Sequence, residues 1–366
     1  MLIFILVLQQ NIRINFIFAE KISDMDEIKY NEDKNSIKIW PYLDDVSQAI
    51  VPYSSKKLNN KWVVNFNLSE VQRAKSSILA ITLSKIVTEL VDKNYSFRVI
   101  MPENNNIENL LQCSGFLSIL DEYLKFPDNI RVNLFETIEK PSIRKSTQIF
   151  SSLDEKTNVR TTSFPIFHLK YNPDNERESV EKFSNWLDDN ILSVLDRYNV
   201  QTDILYSVLT EIAKNSQDHT ENDAFFGIDI VENLNTNGGE FLFSCSDMGR
   251  GISKTVREFL RKNSQADLRS DAWKHFSFTD CYKWAFTTGN SSSKNTKKNK
   301  GIGMTIIIDG TYNINMELSI WDAESMMLMP KSLRFHSESL NHEELRKKVF
   351  NTGNKVGFYY YGRLKF

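Results

Sequence analysis

Three polar residues on one segment of the chain could hold a metal ion and activate a water molecule. Glu211, Asn215 and Asp218 stand at positions i, i+4 and i+7, a spacing that places them along one edge of a helix. Mg²⁺ takes hard oxygen ligands and keeps several waters, so an amide oxygen together with phosphate oxygens is a suitable ligand set. A carboxylate one turn away can orient or deprotonate an attacking water. The alternative interpretation is an ordinary solvated helix face.

A second group of residues follows an apolar run. The run 241–246 is followed by Asp247, and Gly249 and Gly251 come two and four residues after that carboxylate. A carboxylate at a strand end can accept a hydrogen bond from the exocyclic amine of adenine, and the glycines permit a positive φ and a close approach of the backbone to a ligand. The alternative is a plain strand-to-helix turn, in which Asp and Gly are common.

A third group opens a predicted helix. It consists of Lys300, Gly301, Gly303 and Thr305, and the free N–H groups at a helix N-terminus can bind phosphate. The preceding polar stretch, 291–300, is rich in lysine, which favours a polyphosphate and is typical of a mobile lid. The alternative is a solvated basic loop. The three groups together predict a site for a nucleotide and a magnesium ion.

Several other nucleotide sites are excluded by the sequence. The chain contains no GxxxxGK[ST] pattern and no protein-kinase signature set, so neither a P-loop nor a protein-kinase site is predicted. The glycines at 301 and 303 follow a polar loop rather than a strand, which argues against a dinucleotide-binding site.

The elements that must position these residues follow from periodicity. In the first half the pattern predicts a strand at 62–68, a helix at 76–90, a strand at 97–101 and a helix at 106–120 broken near Gly115. In the second half it predicts helices at about 178–196, 203–219, 252–262, 278–287 and from about 303, and strands at 224–231, 240–246, 317–321, 332–336 and 356–361. This order predicts an α/β sandwich of the α+β class with long-range strand pairing, rather than an alternating βαβ fold.

The chain is expected to divide into two domains. Residues 1–36 are interpreted as an N-terminal extension or first strand, because the apolar run 1–8 is too short for a membrane helix and no basic segment precedes it. A small α/β domain is predicted at 37–140 and a second domain at 179–366. The segment 141–178 is interpreted as a connector, since it contains three prolines and a polar run.

Composition narrows the class of protein. With 366 residues, of which 41% are hydrophobic, the chain can bury two cores, and a net charge of −2 argues against general nucleic-acid binding. The 3 cysteines lack metal-ligand spacing and indicate a reducing compartment. We therefore expect a cytoplasmic protein that does not enter a membrane. Only the lysine-rich stretch 291–300 would support nucleic-acid binding.

The order of the three groups resembles the GHKL ATPase superfamily, which includes gyrase B subunits, histidine kinases and anti-sigma-factor kinases. The resemblance covers about residues 180–366 and implies a Bergerat-type α/β sandwich with ATP and Mg²⁺ as ligands. Carried over residue by residue, it implies that Asn215 holds Mg²⁺, Asp247 contacts adenine and Glu211 is the general base. Asp218 matches a further polar position on the same helix. The glycines at 249, 251, 301 and 303 would shape the pocket and the lid, and residues 285–289 resemble the segment before the lid.

The first half resembles a STAS domain more weakly, through residues 63–69, 75–79 and 95–100. In that family a Ser-Ser pair opens a helix after a strand, and a GHKL kinase phosphorylates the second serine. Ser77 is the matching position. The alternative is that Ser76 and Ser77 simply begin a helix, as serine often does.

These resemblances predict an ATP-binding regulatory protein with slow hydrolysis through Glu211. Lid closure over ATP would change the contacts between the two halves, with a STAS-type protein partner, or between two copies of the chain. Two alternatives stay open: a serine kinase that acts on a STAS partner or on Ser77, and a non-catalytic scaffold that responds to ATP.

Overall fold

The structure is a computed structural model. The residues that it describes are 36–38, 42–43, 63–69, 71–90, 96–124, 129–131, 137–139, 142–144, 146–175, 177–220, 222–264, 276–287, 289–290, 301–322, 325–329, 349–351 and 358–366.

The first half is a small α/β unit. Its elements are β1 (Ser36–Lys38), β2 (Tyr42–Leu43), β3 (Val63–Asn67), β4 (Arg73–Ala74), α1 (Ser76–Leu90), β5 (Ser96–Ile100), α2 (Asn105–Cys113), α3 (Phe116–Leu124), β6 (Asn129–Arg131) and β7 (Thr137–Glu139). Strands β1, β3 and β5 form a parallel sheet in that order. The predicted strands and the helix at 76–90 are confirmed. The predicted break near Gly115 separates α2 from α3, because Gly115 has a φ of 78° that ends the first helix.

The second half is built on a larger sheet. Its elements are β8 (Phe150–Asp154), β9 (Val159–Ser163), β10 (Phe167–Leu169), α4 (Glu178–Leu187), α5 (Thr202–Thr220), β11 (Ala224–Asn233), β12 (Gly238–Asp247), α6 (Ile252–Ser264), α7 (Phe278–Phe286), α8 (Gly303–Asn313), β13 (Glu317–Asp322), β14 (Ser325–Met329), β15 (Val349–Asn351) and β16 (Phe358–Lys365). The helical path of α4 continues through a π-helical segment at Asp188–Leu192. The strand order is β15–β14–β13–β16–β12–β11–β9–β8, with β10 also paired to β11. Every strand pair in this sheet is antiparallel, so the chain has a mixed α/β fold with an antiparallel main sheet.

The segment 141–178 differs from the predicted connector. It contains β8, β9 and β10, and all three belong to the main sheet. Strand β8 is an edge strand with exposed side chains at alternate positions, so its sequence is polar and resembles a linker. Strands β14 and β15 were also not predicted. The predictions for residues 1–35 and for the strand at 332–336 fall outside the described residues.

Helices cover both faces of the main sheet. On β11, Phe226, Ile228 and Ile230 belong to a core with α4, α5 and α8, whereas Phe225 belongs to a second core with α1, α2 and α3. Side chains alternate between the two faces of a strand, so β11 contributes to both cores. The first half therefore packs directly on the back of the main sheet. None of the helices described here is long and apolar enough to cross a lipid bilayer.

A polar cluster joins the two halves beside this packing. The Tyr123 hydroxyl of α3 donates a hydrogen bond to the Asp223 carboxylate, and His168 Nε2 lies 2.9 Å from the same oxygen. The backbone N–H of Tyr171 donates to the other Asp223 oxygen at 2.7 Å. Burial alone would raise the pKa of Asp223, but the hydrogen bonds from His168 and Tyr123 outweigh it and hold the pKa below its usual value. The ionised carboxylate therefore ties α3 to the main sheet.

Candidate functional site

The three groups of residues predicted from the sequence meet at one cavity. It contains about 690 Å³ of empty space, which includes open solvent. The predicted site residues that line it are Asn215, Asp247, Gly251, Gly301 and Gly303. They come from α5, the end of β12 and the start of α8, elements that are far apart in the sequence.

Helix α5 places the Asn215 amide in the lining of this cavity and the Glu211 carboxylate beside Gly303. Its apolar stripe, Leu205, Val208, Leu209 and Ile212, is buried in the first core. Glu211 and Asn215 stand beside this stripe on the helix and therefore lie at the edge of the core. The Glu211 side chain is 14% exposed. The Glu211 carboxylate is 2.8 Å from the Lys214 ammonium group, and the Asn215 amide nitrogen is 3.6 Å from the Met304 sulfur.

The N-terminus of α8 lies directly against these two side chains. A Cβ atom at Gly303 would be 2.9 Å from Glu211 Oε1 and 3.0 Å from Asn215 Oδ1. Only glycine leaves room at this point. The amide oxygen of Asn215, a carboxylate and a helix N-terminus therefore converge on the same space, a combination suited to a metal-bound phosphate.

Asp247 also lines the cavity and is 2% exposed. The backbone N–H of Gly249 donates a hydrogen bond to its Oδ1 at 2.8 Å. Burial, the largest effect, and the nearby Asp322 together raise the pKa of Asp247 to about 7, against the lowering effect of the Gly249 hydrogen bond. A buried carboxyl group that titrates near neutral pH is typical of functional sites.

Asp322 is a buried carboxyl group beside the cavity residue Gly251, and it was not among the predicted residues. It ends β13, is 3% exposed, and its Oδ2 accepts a hydrogen bond from the Ser253 backbone N–H at 2.7 Å. Gly251 has a φ of 78°, and a Cβ atom there would be 1.8 Å from Asp322 Oδ1. The signal was present in the sequence, because Asp322, like Asp247, directly follows a predicted strand. The cavity residues Trp284, Met304 and Tyr360 gave no such signal, since apolar and aromatic residues are also common in cores.

Gly289 and Gly301 lie on either side of the lysine-rich stretch in the sequence and contact each other. The Gly289 N–H donates to the Gly301 carbonyl at 2.9 Å, and both residues have a positive φ, of 89° and 67°. The Asn290 side chain donates to the Trp284 carbonyl at 2.9 Å. Residues 291–300, including Lys300, lie outside the described residues. The residues on either side of this stretch, Asn290 and Gly301, both line the cavity.

Four predicted residues lie elsewhere. Asp218 is exposed and does not line the cavity. Thr305 lines a separate groove with Ile306 and Asp309. The Gly249 Cα packs against Thr220, since a Cβ there would be 2.4 Å from Thr220 Cγ2. Ser77 is fully buried, and its hydroxyl donates to Asp229 Oδ2 at 2.6 Å, so a phosphate donor cannot reach it in this arrangement.

No protein-family model, curated protein or solved structure matches this chain. Within the part of the chain that the structure describes, no group of three or more His, Cys, Asp or Glu side chains could hold a metal ion. A magnesium ion at this cavity would therefore depend on Asn215, on phosphate oxygens of its ligand and on water.

Proposed function

We propose that the chain binds Mg-ATP in this cavity and hydrolyses it slowly. The observation that carries the proposal is the convergence of five predicted residues from three distant segments on one cavity. The cavity offers an oxygen ligand, a helix N-terminus and a buried carboxyl group. These are the complementary features of a metal-bound polyphosphate and of an adenine amine.

The geometry supports one orientation of the nucleotide. The phosphates would lie at Gly301 and Gly303, because the N-terminus of a helix such as α8 favours anions. Asn215 would hold Mg²⁺, which would neutralise part of the phosphate charge. Adenine would lie with its exocyclic amine donating to Asp247.

Glu211 is the candidate base for hydrolysis. Its carboxylate lies next to Gly303 and so faces the region proposed for the terminal phosphate, where an attacking water would stand. It also pairs with Lys214 at 2.8 Å, and the water would have to compete with this ion pair. We infer slow turnover for this reason. Transfer to Ser77 is not favoured, because α1 would first have to leave the sheet to expose that hydroxyl.

Calorimetric titration of Mg-ATP into the wild-type chain and into Asp247→Asn tests the proposal. The wild type is expected to bind one Mg-ATP, and the variant to bind at least about tenfold more weakly, because its amide would present an N–H group to the adenine amine. Asp189→Asn removes a carboxylate from an exposed helical position and is the matched control. A wild-type chain that gives no heat of binding would refute the proposal. If Asp247→Asn binds Mg-ATP as tightly as the control Asp189→Asn, Asp247 does not belong to the site.

The raised pKa of Asp247 predicts that adenosine binding depends on pH. Adenosine is the suitable ligand, because it carries no phosphate that titrates near neutral pH. A carboxyl group with a pKa of about 7 is mostly protonated at pH 6 and mostly ionised at pH 8, so the affinity should rise about tenfold over this interval. The contribution of Asp247 to the stability of the chain without ligand changes with pH in the opposite direction. In the folded chain, Asp247 holds a proton that the unfolded chain has lost, so its contribution to stability falls as pH rises from about 4 to about 7.

The measurement is the dissociation constant of adenosine at pH 6, 7 and 8 for the wild type and for Asp247→Asn. The variant should show no such rise, since an amide does not titrate. A rise of equal size in the variant would assign the pH dependence to another group.

A further inference from the structure

A buried carboxyl group on the back of the main sheet holds the first turn of α1. Asp229 is fully buried and accepts hydrogen bonds from the backbone N–H groups of Ser76, at 3.0 Å, and Ser77, at 2.8 Å. It also accepts from the hydroxyls of Ser77 and Ser163. A carboxylate is stabilised at a helix N-terminus by the unpaired N–H groups and the helix dipole. Asp229 thus caps α1 from a strand that is 152 residues away in sequence.

The same helix reaches the backbone of the proposed adenine residue. Two turns beyond Ser77, the Ser84 hydroxyl lies 3.4 Å from the Asp247 carbonyl oxygen and donates to it. Ser84 is 3% exposed, so water does not compete freely for this bond. Helix α1 therefore runs from Asp229 to the end of β12, on the face opposite the cavity.

Residues next to Asp247 and Asp322 also pack against the first half of the chain. Met248 follows Asp247 and Trp321 precedes Asp322, and both contact the core that contains α1. The end of β12 is thus held between the cavity on one face and α1 with its neighbours on the other. A shift of α1 would move the backbone that places Asp247.

We propose that α1 positions Asp247 for adenine, and that Asp229 and Ser84 are positioning residues for the nucleotide site. The inference rests on the proposed function. Docking of α1 and occupancy of the adenine end are then two coupled equilibria, and the coupling is reciprocal: a change in docking that weakens binding implies that binding strengthens docking by the same factor. The first half of the chain acts as an internal regulator of base binding, because whatever loosens α1 from Asp229 lowers the affinity for adenine.

The test separates the two ends of the nucleotide. Adenosine and inorganic tripolyphosphate are each titrated, by competition against Mg-ATP, into the wild type, Ser84→Ala and Asp229→Asn. Both variants are expected to bind adenosine at least about fivefold more weakly, with an unchanged affinity for tripolyphosphate, which would bind at the start of α8. Thr88→Ala is the matched control, because the Thr88 hydroxyl lies on the same helix and donates only to the Ser84 carbonyl, at 2.7 Å.

Amide hydrogen exchange supplies the reciprocal measurement. Adenosine should slow the exchange of α1 amides in the wild type, and Asp229→Asn should speed it without any ligand. Ser84→Ala keeps all of the Asp229 hydrogen bonds, so it carries the test even if Asp229→Asn does not fold.

Each outcome has a distinct meaning. If the wild type binds neither adenosine nor Mg-ATP, the proposed function fails and this inference falls with it. If the wild type binds both but Ser84→Ala binds adenosine equally well, the inference alone is overturned. An equal loss of adenosine and tripolyphosphate affinity also overturns it, because that pattern indicates general destabilisation rather than positioning of Asp247.

Discussion

Replacing Asn215 with alanine is expected to remove the magnesium dependence of ATP binding and to lower the affinity for Mg-ATP at least about a hundredfold. The reason is that, within the described residues, no group of three or more His, Cys, Asp or Glu side chains could hold the ion without Asn215, and Asn215 Oδ1 faces the start of α8. ATP without magnesium should bind the wild type and the variant with similar weak affinity, since only the metal contact is removed.

The measurement is a pair of titrations, one with magnesium and one with EDTA, for the wild type and the variant. Asn215→Asp is the informative companion, because it keeps an oxygen ligand and should retain magnesium-dependent binding. Ser207→Ala, at an exposed position on the same helix, controls for a general effect on α5. An Asn215→Ala chain that still binds ATP more tightly with magnesium than without it would place the metal elsewhere.

The elements that carry the site were predictable because their signals are local. Helix α5 shows an apolar stripe at helical spacing, and its observed range, Thr202–Thr220, agrees closely with the predicted 203–219. Strands β11 and β12 are apolar runs bounded by polar turns and were also predicted in type and place. A spacing of four residues on one helix fixes the relative positions of Glu211 and Asn215 before any tertiary contact forms.

The contacts between distant segments were not predictable, because periodicity does not report which surfaces meet. In the sequence, Asp229 is a single polar residue within an apolar strand. Only the structure shows that the first turn of α1 donates hydrogen bonds to it. Strand β8 was hidden because an edge strand exposes many of its side chains and so has a polar sequence.

One unused signal did exist in α1. Residues 76–87 are buried on every side of the helix, and a helix that is apolar nearly all round is expected between two layers of structure. With six Ile, Leu or Val residues in 76–87, the sequence of α1 therefore indicated a helix covered on both sides, whereas the helix was predicted within a separate small domain at 37–140.

Gly227→Ala is expected to lower the free energy of unfolding by about 3 kcal/mol, because α1 leaves no space on the sheet for a side chain at this position. A Cβ atom at Gly227 would lie 2.0 Å from the Ser76 carbonyl oxygen and 2.7 Å from Ser77 Cα. Both are backbone atoms of the first turn of α1, which Asp229 holds in place from the next position of the same strand face. The clash can be relieved only by moving the helix, and such a movement would stretch these buried hydrogen bonds.

Urea unfolding of the wild type, Gly227→Ala and Gly289→Ala measures this effect without any nucleotide. Gly289 is the matched glycine, since a Cβ there meets no atom within 4 Å but its φ of 89° is strained for alanine, which should cost only about 1 kcal/mol. A larger loss at Gly227 than at Gly289 would therefore come from contact with α1 rather than from backbone strain. If Gly227→Ala unfolds at the same urea concentration as the wild type, α1 does not rest on β11 in solution. The two halves of the chain would then be independent of each other, whatever ligand the cavity binds.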